Sequence, residues 1–168
     1  MIFGMTTFTF VHVVLSLIGI GSGLVVTYGL LTAKPLNGWT AVFLATTVAT
    51  SVTGFGFPFG QFLPSHYVGV VSLVVLAIAI VARYPLHLAC AWRWIYAVSA
   101  VTALYFNVFV GIVQAFRRVP ALQAMAPTQS EPPFAITQLV VLALFAVLGI
   151  FAVIRFRTQP VHQPVHTA

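Results

Sequence analysis

The stretch FAITQLVVLALFAVLGIFAVI at residues 134–154 decides the fold, because its 21 residues include no charged side chain. A helix needs roughly 20 apolar residues to cross the hydrocarbon of a bilayer, since each residue adds about 1.5 Å. The stretch lacks the alternation of apolar and polar residues that is typical of a transmembrane β-strand. We therefore predict a transmembrane helix here.

Four further apolar stretches precede it, at about residues 8–31, 39–57, 66–83 and 94–116. Across the 168-residue chain 61% of residues are hydrophobic and 5% are charged, which leaves too few charges to solvate a globule of this size. The sequence thus predicts an all-α integral membrane protein. Its five transmembrane helices would form a bundle with short loops, in a single domain over residues 1–157.

The connections between the stretches support this division of the chain. Three are short and contain proline or glycine, as in Lys34-Pro35 and Arg83-Tyr84-Pro85. Short connections place successive helices antiparallel. The fourth connection, residues 117–133, is longer and holds four prolines, so we predict an external loop. The tail at 158–168 contains QPVH twice, and we predict a disordered cytoplasmic end.

Basic residues are unevenly divided between the two ends of this bundle. One end holds Lys34, Arg83, Arg93, Arg155 and Arg157, and the other holds Arg117 and Arg118. Because loops rich in Lys and Arg stay in the cytoplasm, the N-terminus is predicted to lie outside and the C-terminus inside a bacterial inner membrane.

The same charges indicate which partners to expect. The net charge of +6 is spread thinly over the helix ends, so nucleic acid is not an expected partner. The lipid bilayer is the expected partner, and other membrane subunits or a second copy of the chain are further candidates.

Polar residues inside the stretches converge on the predicted outer side. They are His12, His66, Gln114 and Gln138, with Asn107 nearer mid-membrane. Arg117, Arg118 and the only acid, Glu131, belong to the loop above them. Polar groups in lipid usually face a partner, a cavity or a ligand. We therefore predict a ligand-binding site there, with a possible ion pair between Glu131 and an arginine.

The spacing of these residues also allows a purely structural interpretation. His12, Ser16, Gly19 and Gly23 share one face of the first helix, and Ala103, Asn107, Gly111 and Gln114 share one face of the fourth. Small and amide-bearing faces are common means of packing membrane helices. The second helix carries Thr46, Thr47, Thr50, Ser51 and Thr53. We expect these hydroxyls to bond back to carbonyls one turn earlier.

The sequence favours a non-catalytic binding or accessory component and predicts no catalytic residue. It contains no nucleotide-binding loop, no serine-hydrolase elbow and no zinc-protease motif. No cofactor is expected under this interpretation. The alternative is a small redox protein that binds haem b or a quinone through His12 and His66. A small-solute transporter is a third possibility, although no span contains an acid.

Overall fold

The computed structural model describes residues 6–57 and 64–157, without the side chains at 64–66 and 157. All regular structure in these ranges is helical, which confirms the all-α prediction. The helices are α1 (Thr7–Leu31), α2 (Asn37–Gly54), α3 (Pro64–Arg83), α4 (Trp92–Arg118), α5 (Pro120–Met125) and α6 (Pro132–Arg157). The predicted tail at 158–168 lies outside the described residues.

Three of these helices, α1, α4 and α6, are long and apolar enough to cross a membrane. They support the prediction of a membrane protein. The described side chains of α3, Tyr67–Arg83, form a shorter apolar segment. Five residues of α2 between positions 46 and 53 are serine or threonine, which lowers its hydropathy.

The helix ends follow from local sequence. Thr6 caps α1, since its side-chain oxygen accepts from the backbone N–H of Thr9 at 3.2 Å. The residue before a proline disfavours helical geometry, and α3 ends at Arg83, two residues before Pro85. Pro120 opens α5 at a position where its missing N–H has no helical partner to lose. This short helix lies inside the segment predicted as a loop.

The core is built around α4, which packs against α1, α2, α3 and α6. Its buried side chains include Tyr96 and Leu104. Opposite them, a β-carbon at Gly23 of α1 would lie 2.6 Å from Leu104 Cδ1 and 2.8 Å from Phe43 Cε2. Only glycine fits that approach without displacing a neighbour, so the predicted packing role of this α1 face is confirmed.

At one end of the bundle Arg83 joins three helices. Its guanidinium donates to Asn37 Oδ1 at 2.6 Å and lies 5.1 Å from the centroid of the Tyr96 ring. The Tyr96 hydroxyl lies 3.5 Å from Thr40 Oγ1. These contacts tie the start of α2, the end of α3 and the start of α4 together.

The opposite end, here called the site end, contains the starts of α1, α3 and α6 and the ends of α2 and α4. His12 of α1 bonds to Thr53 of α2, and Gln138 of α6 bonds to the carbonyl of Phe109 on α4. The alternating direction of the helices therefore carries their polar residues to this one end.

Candidate functional site

A cavity of about 920 Å³ opens at the site end between helices α1 to α4. Its lining includes Thr9, His12 and Val13 of α1; Thr47, Thr50, Ser51 and Gly54 of α2, with Phe55 and Phe57 beyond it; Val68, Gly69 and Ser72 of α3; and Phe106, Asn107, Val110, Gly111, Gln114, Ala115, Arg117 and Arg118 of α4. We call it the end cavity. It brings together five of the residues predicted for the site: His12, Asn107, Gln114, Arg117 and Arg118.

His12 is held in one orientation by α2. Its Nδ1 lies 2.8 Å from Thr53 Oγ1, and Thr53 Oγ1 donates its proton to the Ala49 carbonyl at 2.7 Å. The hydroxyl therefore accepts from His12, so Nδ1 carries the proton of the neutral ring and Nε2 is left as an acceptor. The ring also meets Phe57 edge to face, with centroids 5.1 Å apart. The imidazole is thus positioned for hydrogen bonding or ligation through Nε2.

The floor of the end cavity is polar and unpaired. Thr47, Thr50 and Asn107 are 1%, 8% and 7% exposed. Among the described residues, none provides a hydrogen-bond partner for Thr47 Oγ1, Thr50 Oγ1 or Asn107 Nδ2. An unmade hydrogen bond at a buried group costs about 1–3 kcal/mol. These three atoms are shielded from the open volume of the cavity, because almost none of their surface is accessible.

Gly19 of α1 packs directly against the Asn107 amide. A β-carbon there would lie 2.8 Å from Asn107 Nδ2 and 3.1 Å from Thr47 Oγ1. In addition, Ser16 Oγ donates to Asn107 Oδ1 at 3.4 Å. The small and polar face of α1 therefore packs closely against α4 and buries the amide.

The prediction for the hydroxyls of α2 is right for two of the five residues. Thr46 and Thr53 bond back to the carbonyls of Val42 and Ala49, as expected. Ser51 Oγ instead lies 3.3 Å from Ser72 Oγ of α3. Thr47 and Thr50 make no such bond; both residues line the end cavity, but their hydroxyl oxygens are buried. A sequence signal for this exists: Thr47, Thr50, Ser51 and Gly54 follow the i, i+3, i+4, i+7 spacing of one helix face.

Below the floor the bundle is closed. Gly23 is one turn deeper than Gly19, about 6 Å further along α1. There Phe43 and Leu104, both fully buried, pack against the glycine. The end cavity is therefore a blind pocket, with its mouth at the site end.

The rim carries the positive charge. Gln114, Arg117 and Arg118 are exposed and lie in the last turns of α4, although the two arginines were predicted in a loop. Among the described residues that line the end cavity, these arginines are the only charged ones. The mouth of the end cavity therefore presents cations.

Gln138 lies apart from the end cavity. Its Nε2 donates to the Phe109 carbonyl at 3.3 Å, and its Oε1 is buried without a partner among the described residues. It lies between α6 and α4 and does not line the cavity. It is a contact between helices in this structure.

Glu131 closes its own loop. Its carboxylate accepts from the Thr128 and Ser130 backbone N–H groups, each at 3.1 Å, and from the Thr128 hydroxyl at 2.9 Å. Desolvation is the largest single influence and raises the pKa of the Glu131 carboxyl, but the hydrogen bonds together outweigh it and lower that pKa. In the described part of the chain it forms no ion pair with Arg117 or Arg118. The loop is tied instead to α4, where Gln129 Nε2 donates to the Val113 carbonyl at 3.0 Å.

Only the backbone of His66 lies within the described part of the chain. It belongs to the first turn of α3, and its side chain lies outside the described residues. The hypothesis of haem ligation by His12 and His66 therefore stays a prediction. Over the ranges described, no three His, Cys, Asp or Glu side chains are grouped as a metal site.

Comparisons with protein families, with curated proteins and with solved structures give no match to this chain. Its function must therefore be argued from the end cavity.

Proposed function

We propose that the protein is a non-catalytic membrane component that binds a small molecule in the end cavity. The observation that carries this proposal is an open volume of about 920 Å³ lined by polar side chains of four helices, among them His12, Gln114 and Arg117. Polar side chains that converge on one cleft of a membrane bundle favour a bound partner.

The form of the cavity supports the same conclusion. Its volume of about 920 Å³ falls within the usual range of small-molecule sites, roughly 300–1,000 Å³. Ten of its twenty lining residues are polar, and the apolar ones include Phe55, Phe57 and Phe106. Such a lining gives burial from the walls and orientation from the polar groups.

We infer five membrane crossings, by α1, α2, α3, α4 and α6. Besides the three long apolar helices, α2 has 18 residues and α3 has 20, which span about 27 and 30 Å. That length suits a hydrocarbon core of about 30 Å. The charge distribution favours a bacterial inner membrane with the N-terminus and the mouth of the end cavity outside.

The experiment is mass spectrometry of small molecules extracted from the protein after purification from its own membranes. The wild type is expected to carry one molecule per chain above the lipid background. Gly54 lines the cavity, so Gly54→Leu should fill part of it and abolish this molecule, whereas Gly21→Leu, outside the cavity, should retain it. Equal extracts from all three proteins would contradict the proposal.

A redox protein that holds haem b or a quinone is the second candidate, and the geometry of His12 favours it. A ligating histidine usually donates its other ring nitrogen to a fixed partner, as His12 does to Thr53. A coloured preparation whose Soret band disappears in His12→Ala, but persists in His87→Ala, would establish the haem form. A colourless preparation that yields no quinone on extraction would exclude this candidate.

A further inference from the structure

The two arginines at the mouth of the end cavity have no acidic partner in the described part of the chain. Arg117 and Arg118 line the cavity from the last turn of α4, and the whole sequence contains one acid, Glu131. The Glu131 carboxylate accepts its hydrogen bonds from Thr128 and Ser130, within its own loop. The charge of the two guanidinium groups is therefore left for a group from outside the chain.

This part of the lining has the chemistry of an anion site. Arginine binds carboxylate and phosphate through paired hydrogen bonds, and cations at the mouth of a cleft attract anions from solution. Gln114 lines the cavity one turn deeper, and residues three or four apart share a face of a helix. Its amide adds a further hydrogen-bond donor beside the two cations.

His12 offers the opposite preference deeper in the cavity. Its Nδ1 donates to Thr53 Oγ1, so Nε2 is an acceptor, and no described residue bonds to it. The bond between Ser16 and Asn107 sets the level of α1 against the antiparallel α4. From that level His12 lies about 6 Å and Arg117 about 15 Å nearer the mouth. The imidazole and the cations are thus close enough in depth for one small molecule to meet both.

The remaining lining favours a polar ligand. Ten of the twenty lining residues are polar, and they include Thr9, Ser51 and Ser72 besides the residues already discussed. Polar groups covered by a ligand lose their water, and an acyl chain gives them no hydrogen bond in return. A water-soluble molecule therefore suits this cavity better than the chain of a lipid.

We propose that the end cavity binds a small, water-soluble, hydroxylated anion. Its phosphate or carboxylate lies at Arg117 and Arg118, and one hydroxyl donates to His12 Nε2. This inference rests on the proposed function and names the chemistry of its ligand.

Glycerol phosphate, propyl phosphate and glycerol test this ligand class, because the second lacks the hydroxyls and the third lacks the charge. Their dissociation constants are measured by calorimetry on the protein in phosphatidylcholine nanodiscs, with the heat of empty nanodiscs subtracted. Glycerol phosphate should bind about tenfold more tightly than glycerol and about fivefold more tightly than propyl phosphate. Added salt should weaken the binding of glycerol phosphate and leave that of glycerol unchanged.

Variants assign each preference to its residues. Combined Arg117→Gln and Arg118→Gln should remove the preference for the phosphate and keep the preference for the hydroxyls. His12→Phe, which keeps an aromatic ring, should do the reverse. Lys34→Gln removes a cation at the other end of the bundle and should leave both preferences unchanged. Should His12→Phe not fold, the nitrogen-15 signal of His12 in the wild type gives the same information, since glycerol phosphate should shift it and propyl phosphate should not.

Lipid headgroups contain the same phosphate, so a further measurement separates the two sources. Native mass spectrometry compares the phosphatidylglycerol retained by the wild type with that retained by the double arginine variant. Equal retention is expected for a soluble ligand. Loss of one lipid in the variant would assign the arginines to a headgroup and overturn the proposal.

Absence of binding or equal affinities for the three probes in the wild type would overturn the ligand class. So would a phosphate preference that survives in the double arginine variant. Either result, combined with an extracted molecule that Gly54→Leu abolishes, would leave the proposed binding function standing. Failure of both experiments would overturn both proposals.

Discussion

Asn107 Nδ2 lies 2.8 Å from the position that a β-carbon on Gly19 would occupy, although the two residues belong to α1 and α4. The glycine therefore fixes how closely the helices approach, because the buried amide of Asn107 packs directly against it. One small residue thus sets the contact between α1 and α4 beside the end cavity.

Replacement of Gly19 by alanine is expected to destabilise the protein. The added methyl group meets Asn107 Nδ2 and Thr47 Oγ1 closer than ordinary contact allows, and overpacking of this kind costs about 1–3 kcal/mol. Thermal unfolding in detergent measures the loss. Gly21→Ala is the control, because a β-carbon there meets nothing within 4 Å and should stabilise the helix by up to about 1 kcal/mol. Equal effects of both substitutions would contradict the packing described for Gly19.

The orientation of His12 is expected to depend on Thr53. In Thr53→Val the ring loses the acceptor for its Nδ1 proton, so the fixed tautomer should give way to a mixture. Nitrogen-15 spectra of histidine-labelled protein distinguish the two forms, and His12→Asn assigns the signal. Thr46→Val removes a hydroxyl that bonds only to carbonyls of its own helix and should leave the His12 signal in place. An unshifted signal in Thr53→Val would rule out the hydrogen bond.

The loop closed by Glu131 is expected to loosen in acid. Its hydrogen bonds favour the ionised carboxylate and lower its pKa in the folded protein. Their stabilisation is therefore present above the ordinary pKa of a glutamate and is lost as the pH falls through the lowered value. Hydrogen exchange at the Thr128 and Ser130 amides should show protection that follows this pattern. In Glu131→Gln the pH dependence should disappear, and its persistence would assign the effect to another group.

The membrane topology is open to a direct test by reporter fusion. Fusions after Lys34, Gln123 and Thr158 should be cytoplasmic, external and cytoplasmic, because five crossings alternate the sides. Alkaline phosphatase reports the external position, and a green fluorescent protein reports the cytoplasmic ones. The reverse pattern would invert the orientation, and identical sides for Lys34 and Gln123 would refute five crossings.

The membrane helices were predictable from sequence because a single strong signal, hydrophobicity, determines them. Uninterrupted apolar runs define helices because lipid leaves backbone groups no other partner, and alternating direction then collects His12 and Gln114 at one end. The face of α1 that contains Gly19 and Gly23 was also predictable, since small residues at helical spacing permit close approach. These features depend on length and periodicity, which a sequence contains directly.

The floor of the cavity was harder to predict because α2 carries hydroxyls on several faces. Thr46 and Thr47 are adjacent in sequence, yet one bonds to its own helix and the other faces the cavity. The rotation of α2 about its own axis, relative to α1 and α4, decides which of these two residues lies on the cavity side. The place of Gln138 likewise depends on which side of α4 receives α6, which hydropathy does not encode.

A crystal structure of the protein purified from its own membranes tests the central claim most directly. The account predicts electron density for a bound small molecule in the end cavity, in contact with His12 or Gln114. This density should be absent in Gly54→Leu and present in Gly21→Leu. A cavity that holds only water would contradict the account.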